Sequence, residues 1–500
     1  MCAPGTCPWW ETSTPVPNPF GGMSVNPSSP KDSFNSLNSQ PLSPLDSNAF
    51  NPPTAVPSLL LPDHYQRGFG HRRSKAATLL TLAWGGTIAL YYTTWGSWLT
   101  LTLAALTGLH LLRVVLTRPL VLPDPLAEDQ RDQWPRVSLL VAAKNEEQVI
   151  GKLVQALCNL DYPRDRYEVW IIDDHSTDST PDILKALQQD YDQLQVFRRD
   201  AGAKGGKSGA LNQVVPLTQG EVLAVFDADA QVPPDILQQV LPLFVPPQVG
   251  AVQLRKSISN ADRNFWTQGQ AAEMMLDAYF QQQRIACGGV GELRGNGQFL
   301  RRSALESCGG FNEETITDDL DLTIRLHLEQ WDIASCLYPT VGEEGVTGPM
   351  ALWHQRNRWA EGGYQRYLDY WRLIARNRLG TAKTIDLLTF WISQYLYPTI
   401  AVPDLLMAVL RNRMPLFTPV AGMTITLSLV GMFMGVRQVQ QHPQSVRADR
   451  SPLLLWLGTV FRTLQGVIYM FHWFAVMAGT TARVSFRPKR LKWVKTVHHG

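Results

Sequence analysis

The sequence predicts an α/β domain built on a parallel sheet, with membrane-spanning helices on both sides of it. Three observations carry that reading. Short β-branched apolar runs alternate with helix-period segments between Pro123 and about Met350, long apolar stretches flank this block, and "GEVLAVFDADAQVPPDIL" (220–237) is an apolar run that stops at two aspartates one residue apart.

At 500 residues the chain is too long for one ordinary domain. A formal charge of +2 offers no basic surface for nucleic acid, so no nucleic-acid partner is expected. The mean hydropathy of −0.12 looks soluble because it averages segments that live in different solvents. The six cysteines are scattered, without a CxxC or metal-ligand spacing to histidine, which favours a reduced, cytosolic catalytic region over a zinc site or a disulfide framework. Residues 1–75 open with a Pro-, Ser- and Asn-rich stretch that cannot bury enough apolar surface to offset ordering, and read as a disordered tail with no cleaved signal peptide.

Residues 76–117 hold about forty positions without an acidic side chain, enough for two spans turning near Thr93 to Ser97. Arg72, Arg73 and Lys75 before the pair, with Arg113 and Arg118 after it, place both flanks and hence block 118–350 in the cytosol. Within that block "RVSLLVAA", "YEVWIIDD", "LQVFRR" and "EVLAVFDAD" read as strands separated by helical segments, the signature of βαβ units. Ligands gather at the carboxyl ends of such strands, which lines up "AAKNEE", "DDHSTD" and "DADA" along one edge. Residues 384–480 turn apolar again, but Pro398, Pro403 and Asp404 suggest that the first of these segments lies in the interface or re-enters. An even number of crossings then returns the basic tail, 481–500, to the cytosol, giving a multi-pass integral membrane protein.

Asp227 and Asp229 leave a buried strand together, and two carboxylates beside a diphosphate make an oxygen cage for Mg²⁺ or Mn²⁺, although a cap on the turn "DAQVPPD" would use the same residues. Asp173 and Asp174 close the second strand and can accept hydrogen bonds from a nucleobase or ribose, while Asp178 competes as a helix cap. In "GAKGGKSGALN", glycines with Lys204 and Lys207 run into a helix, which suits phosphate contact without being a Walker sequence. Asp318 and Asp319 precede an amphipathic helix, as macrodipole charge or as a general base. Basic and aromatic residues alternate through "HQRNRWAEGGYQRYLDYWRLIARNRL", so 351–383 reads as amphipathic interface helices whose arginines can also clamp a diphosphate.

Taken in order, "AAKNEE", "DDHSTD", "KSGALN", "DAD", "GNGQFLRR", "TDD" and "QRNRW" between membrane segments resemble the membrane-embedded family 2 glycosyltransferases, the group that includes cellulose and hyaluronan synthases. The resemblance spans roughly residues 135 to 365 and implies a GT-A, Rossmann-like fold that inverts the anomeric carbon. It implies that Asp173 or Asp174 holds uridine, that Asp227 and Asp229 hold the diphosphate through Mg²⁺, and that Asp319 is the base. It also matches Gln355, Arg358 and Trp359 to the QxxRW motif that holds donor diphosphate and acceptor, whereas Asp318 stands where the family commonly has Glu.

Within the group, "QRNRWAEGGYQRYLDYWR", the length and the long N-terminus are similar to members that move glucose from UDP-glucose to diacylglycerol. That likeness implies a lipid acceptor and a place in the plasma or thylakoid membrane. A processive β-glycan synthase is the alternative, and a non-catalytic sugar-nucleotide sensor that keeps the fold is a second one.

Overall fold

The computed structural model describes residues 61–126, 131, 133–441 and 452–487. The expected tail up to residue 60 and the basic stretch beyond residue 487 lie outside the described residues.

The sheet has the order β3-β2-β1-β4-β6-β5-β7. Strand β1 (Val137–Ala143) is buried along its whole length and pairs in parallel with β2 (Tyr167–Asp173) on one side and β4 (Val222–Phe226) on the other, with β3 (Leu194–Arg198) parallel beyond β2. A strand buried on both faces is continuously apolar, as "VSLLVAA" and "VLAVF" are. The fully parallel sheet expected from the sequence is corrected at β6 (Gln298–Arg301), which runs antiparallel to β4 and to β5 (Val249–Ile258). Strand β7 (Asp332–Glu343) then pairs in parallel with β5 at the edge. Apolar clusters cover both faces, one around Leu139, Val141 and Phe226, the other around Leu140, Leu223 and Leu300. Successive residues of one strand thus feed opposite layers, as the period of two demands. Chain order reverses between β1 and β4, which makes their carboxyl ends the switch point where an α/β sheet opens a crevice.

Among the described residues, three helices are long and apolar enough to cross a membrane: Gly96–Leu116, Thr418–Gln441 and Leu453–Phe486. They expose large apolar side chains such as Leu109, Leu116, Phe461 and Ile468, which marks the protein as membrane-associated. The expected N-terminal pair is a pair of helices, but the first, Arg72–Leu90, is not one of those three and packs against the helices Tyr397–Arg411 and Pro452–Phe486. The proline-containing segment forms the helix Thr381–Trp391, a π-helical turn Ile392–Leu396 and the helix Tyr397–Arg411. Asp404 is buried there because it is fully used: it accepts from the Tyr91 hydroxyl at 2.6 Å and from the backbone N–H of Leu416 and Phe417 at 2.9 and 3.1 Å.

Two expectations change here. The end of the expected tail is folded: Tyr65 is buried against Tyr370, and Arg72 makes a two-pronged pair with Asp369 at 2.5 and 2.7 Å instead of standing in water. The helix Pro349–Ala375, expected at the membrane surface, is buried from Gly362 to Tyr370, where Tyr364, Tyr367 and Leu368 join an apolar cluster with Val476 and Met477. Its composition misleads because its buried arginines find carboxylates from other segments.

Candidate active site

The crevice is walled by loops that are latched to one another. After β1, Asn145 donates its N–H to the Ser176 hydroxyl at 2.9 Å and accepts at its side-chain oxygen from the Thr177 N–H at 2.7 Å, while the Glu146 N–H reaches the Thr180 hydroxyl at 2.9 Å. Asn145 and His175 both take positive φ, 56° and 55°, a conformation uncommon outside glycine and concentrated at functional loops.

At the end of β2 the two aspartates have different surroundings. Asp173 is buried, accepts from the Ser176 N–H at 2.9 Å and faces Arg198 at 3.3 Å, so it shapes the loop. Asp174 lies between Arg199, 2.5 Å away, and Lys144, 3.3 Å away. The buried Arg199 also donates to the carbonyl oxygens of Lys204 and Gly206 at 2.6 and 3.3 Å, tying the second strand to the glycine loop. Sequence reading missed Arg199; its signal was a cationic residue directly after a strand of a parallel sheet.

The glycine loop enters the helix Gly206–Val214 through Gly205, whose φ of +88° and whose closeness to the Glu313 carboxylate leave no room for a side chain. The first turn of that helix presents Lys207, which donates to Asp227 at 2.5 Å. Burial works against the Lys207 charge, but Asp227, with Asp318 and Asp319 behind it, more than offsets this and holds its pKa above the ordinary lysine value. The Asp227 N–H is anchored on the Asn296 side-chain oxygen at 3.2 Å, and Asp229 accepts from the Glu344 N–H at 3.1 Å, so the Asp-x-Asp turn is fastened to the loop before β6 and the loop after β7.

Asp318 and Asp319 begin the helix Asp318–Leu328. Burial, then repulsion from Asp318, pushes the Asp319 carboxyl up to about 6, even though it accepts from the Leu320 N–H at 2.8 Å. The Asp318 Oδ2 is buried with no hydrogen-bond partner. A helix N-terminus alone would pull the Asp319 carboxyl down, so burial and the neighbouring carboxylate together outweigh it. From the helix Pro349–Ala375 come Gln355, Arg358 and Trp359. Trp359 is stacked under Arg356 at 4.1 Å and beside Lys256 at 5.0 Å, and Arg356 is itself held by Glu273 at 2.6 Å. Burial lowers the Arg358 pKa from the usual arginine value, with Asp227 and Asp319 opposing the shift.

Every candidate named from the sequence except Asp173 lines one cavity of about 1610 Å³. That cavity does not stop at the crevice. It continues between apolar helices, where Phe390, Tyr397, Ile425, Phe471 and Met477 line it. Among the described residues no group of three or more His, Cys, Asp or Glu is arranged around a metal position. Two carboxylates, Asp227 and Asp229, nevertheless fit a hard divalent cation that takes the rest of its oxygen shell from phosphates and water.

An open α/β sheet with an antiparallel insertion, an Asp-x-Asp turn at the switch-point strand and an acidic helix start across the crevice define a glycosyltransferase of the GT-A type. The chain belongs to the family described as "Glycosyltransferase like family 2", which it matches over residues 135–362. It is 60% identical over 442 residues to the β-monoglucosyldiacylglycerol synthase of Trichormus variabilis, covering 88% of this chain and 92% of that one. It is 57% identical over 433 residues to the synthase of the same name from Synechocystis sp., covering 86% and 89%. Among solved structures, the mannosyltransferase from Pyrobaculum calidifontis in complex with GDP-Man and Mn²⁺ is similar at 20% identity and a TM-score of 0.48, covering 78% of this chain and 98% of that one.

Proposed function

We propose that the chain transfers glucose from UDP-glucose to the free hydroxyl of 1,2-diacylglycerol with inversion, giving β-monoglucosyldiacylglycerol. The observation that carries this reading is one continuous cavity, which joins an acidic crevice to a chamber among apolar helices. The relatives at 60% and 57% identity, which align along most of the chain, favour transfer of one sugar to lipid over polymerisation.

In this reading Asp174, Lys144 and Arg199 frame the uridine end, and the backbone around Gly205 with Lys207 faces the diphosphate. Asp227 and Asp229 are the residues that would hold a divalent cation, Mg²⁺ or Mn²⁺, which when bound neutralises charge gathering on the departing diphosphate. Asp319 takes the proton from the acceptor hydroxyl as that oxygen forms its bond to the anomeric carbon and the bond from that carbon to UDP breaks. One displacement from the face opposite UDP turns an α-linked donor into a β-linked product. Arg358, on the wall shared with Asp227 and Asp319, adds positive charge where UDP leaves. Gln355 and Trp359 close the acceptor side.

The same reading assigns 118–350 to a cytosolic catalytic domain and makes the protein a multi-pass membrane enzyme, with Arg113 and Arg118 at the cytosolic end of Gly96–Leu116. Purified protein given equal UDP-glucose and UDP-galactose, Mg²⁺ and diacylglycerol in mixed micelles tests it: mass and anomeric coupling of the product should report one β-glucosyl unit. A product built from galactose, or a lipid that stays unmodified, would refute it.

A further inference from the structure

Between crevice and chamber the cavity passes a buried belt of charge that the catalytic scheme leaves unused. Glu292 is fully buried and shared by Arg366 at 3.0 Å, Arg294 at 2.5 Å and Arg284 at 3.7 Å. Arg284 also pairs with Asp386 at 2.9 Å, and Arg294 with Asp277 at 2.7 Å. His110, a polar residue on the membrane-spanning helix Gly96–Leu116, points its Nε2 at Asp386 from 3.5 Å. The belt reaches the reaction centre, since Gly295, next to Arg294, sits so close to Asp319 that a β-carbon on it would lie 3.4 Å from the Asp319 Oδ2. Arg366 follows Gly362 and Gly363, which press on Thr317 and Leu320, one turn along the same helix.

Arg366 is 3% exposed, lines the cavity, and has two donors, Nε and Nη1, with no hydrogen-bond partner. A guanidinium carries five N–H groups. One meets Glu292, and the neighbouring Tyr367 hydroxyl can take one more. Donors remain, and buried donors are costly to leave unmade. Three guanidiniums, Arg284, Arg294 and Arg366, face three carboxylates, Asp277, Glu292 and Asp386, so the belt has donors to give and no surplus positive charge with which to bind an anion.

We propose that Arg366 and the belt around it form the subsite for the ester-linked glycerol backbone of the acceptor, selecting a neutral diacyl lipid through hydrogen bonds to its ester carbonyl oxygens. The inference rests on the diacylglycerol reading and adds a specificity residue to it. It explains how a flexible neutral lipid with one hydroxyl is held in register: carbonyls at the belt, hydroxyl toward Asp319, chains among Phe390, Ile425 and Phe471.

The test compares dioleoylglycerol with its dialkyl ether analogue, which keeps the hydroxyl and loses both carbonyls, using full-length enzyme in mixed micelles. Wild type should favour the ester lipid by about tenfold in kcat/KM. Arg366→Met should use both acceptors at nearly equal, lowered rates with the KM for UDP-glucose unchanged, and Arg366→Lys should restore part of the preference. A wild type that turns over both lipids equally, or an Arg366→Met enzyme that still discriminates, overturns the proposal, and the wild-type ratio decides alone if the variants fail to fold. Competitive inhibition of wild type by phosphatidic acid at equal mole fraction would assign the belt to an anionic lipid instead and overturn it as well. Failure of wild type to glucosylate either lipid would sink the diacylglycerol reading itself, a result distinct from an ester-to-ether ratio of one.

Discussion

The two ends of the cavity treat charge in opposite ways. At the crevice, carboxylates are crowded and under-paired: Asp319 is pushed up to about 6 by burial and by Asp318, and the Asp318 Oδ2 has no hydrogen-bond partner. At the belt every charged group has an opposite within reach. Burial works against the Glu292 anion there, yet Arg366, Arg294 and Arg284 more than offset it and hold the carboxyl well below the usual range. The difference separates crowded carboxylates, open to a proton, from charges that cancel one another and keep only hydrogen-bond donors to offer.

Breaking the crevice should leave the fold standing. Asp319→Asn removes the proposed base without changing shape, and turnover should fall by about 10³-fold while calorimetry shows UDP binding within about twofold of wild type. Breaking the belt should do the reverse. Glu292→Gln leaves three buried guanidiniums short of a carboxylate, and denaturant unfolding in micelles should show a loss of about 3 kcal/mol. If Glu292→Gln were as stable as wild type, the three arginine pairs of Glu292 would not hold the belt together.

Two smaller effects sharpen the contrast. Asp229→Asn should raise the concentration of Mg²⁺ needed for half-maximal activity by about tenfold, measured by titrating the apo-enzyme with metal. The pH profile should follow Asp319. Its carboxyl must be ionised to take a proton, so kcat/KM should fall as the pH drops through about 6. Asp318→Asn removes the repulsion that holds that value up, so the acidic limb should move to lower pH by up to about one unit. An acidic limb that stays in place would make burial the whole cause.

Much of the crevice was legible in the sequence because its signals are local. The exits of β2 and β4 were marked by apolar runs ending in carboxylates, that of β1 by the polar Lys144-Asn145-Glu146, and the helix starts at Gly206 and Asp318 by their glycines and acids. Asp173 and Asp174 could not be told apart, because neighbours at a strand end point to opposite faces and only the fold shows which one meets the cavity. The four-residue antiparallel β6 escaped because its pairing with β4 and β5 is set by segments distant in sequence. The belt was invisible for the same reason: Asp277, Glu292, Arg366 and Asp386 come from four separate segments, and their arginine-rich helix looked like a surface until its partners were placed beside it.

The most direct test of a cavity that joins a nucleotide crevice to the bilayer is to incubate the full-length protein in lipid nanodiscs containing diacylglycerol with radiolabelled UDP-glucose and Mg²⁺, and to separate lipid from polymer. All label should run as one monoglucosyl lipid, cleavable by a β-glucosidase and absent with Asp319→Asn. Label held at the origin as high-mass glycan, or a lipid product resistant to the β-glucosidase, would contradict it.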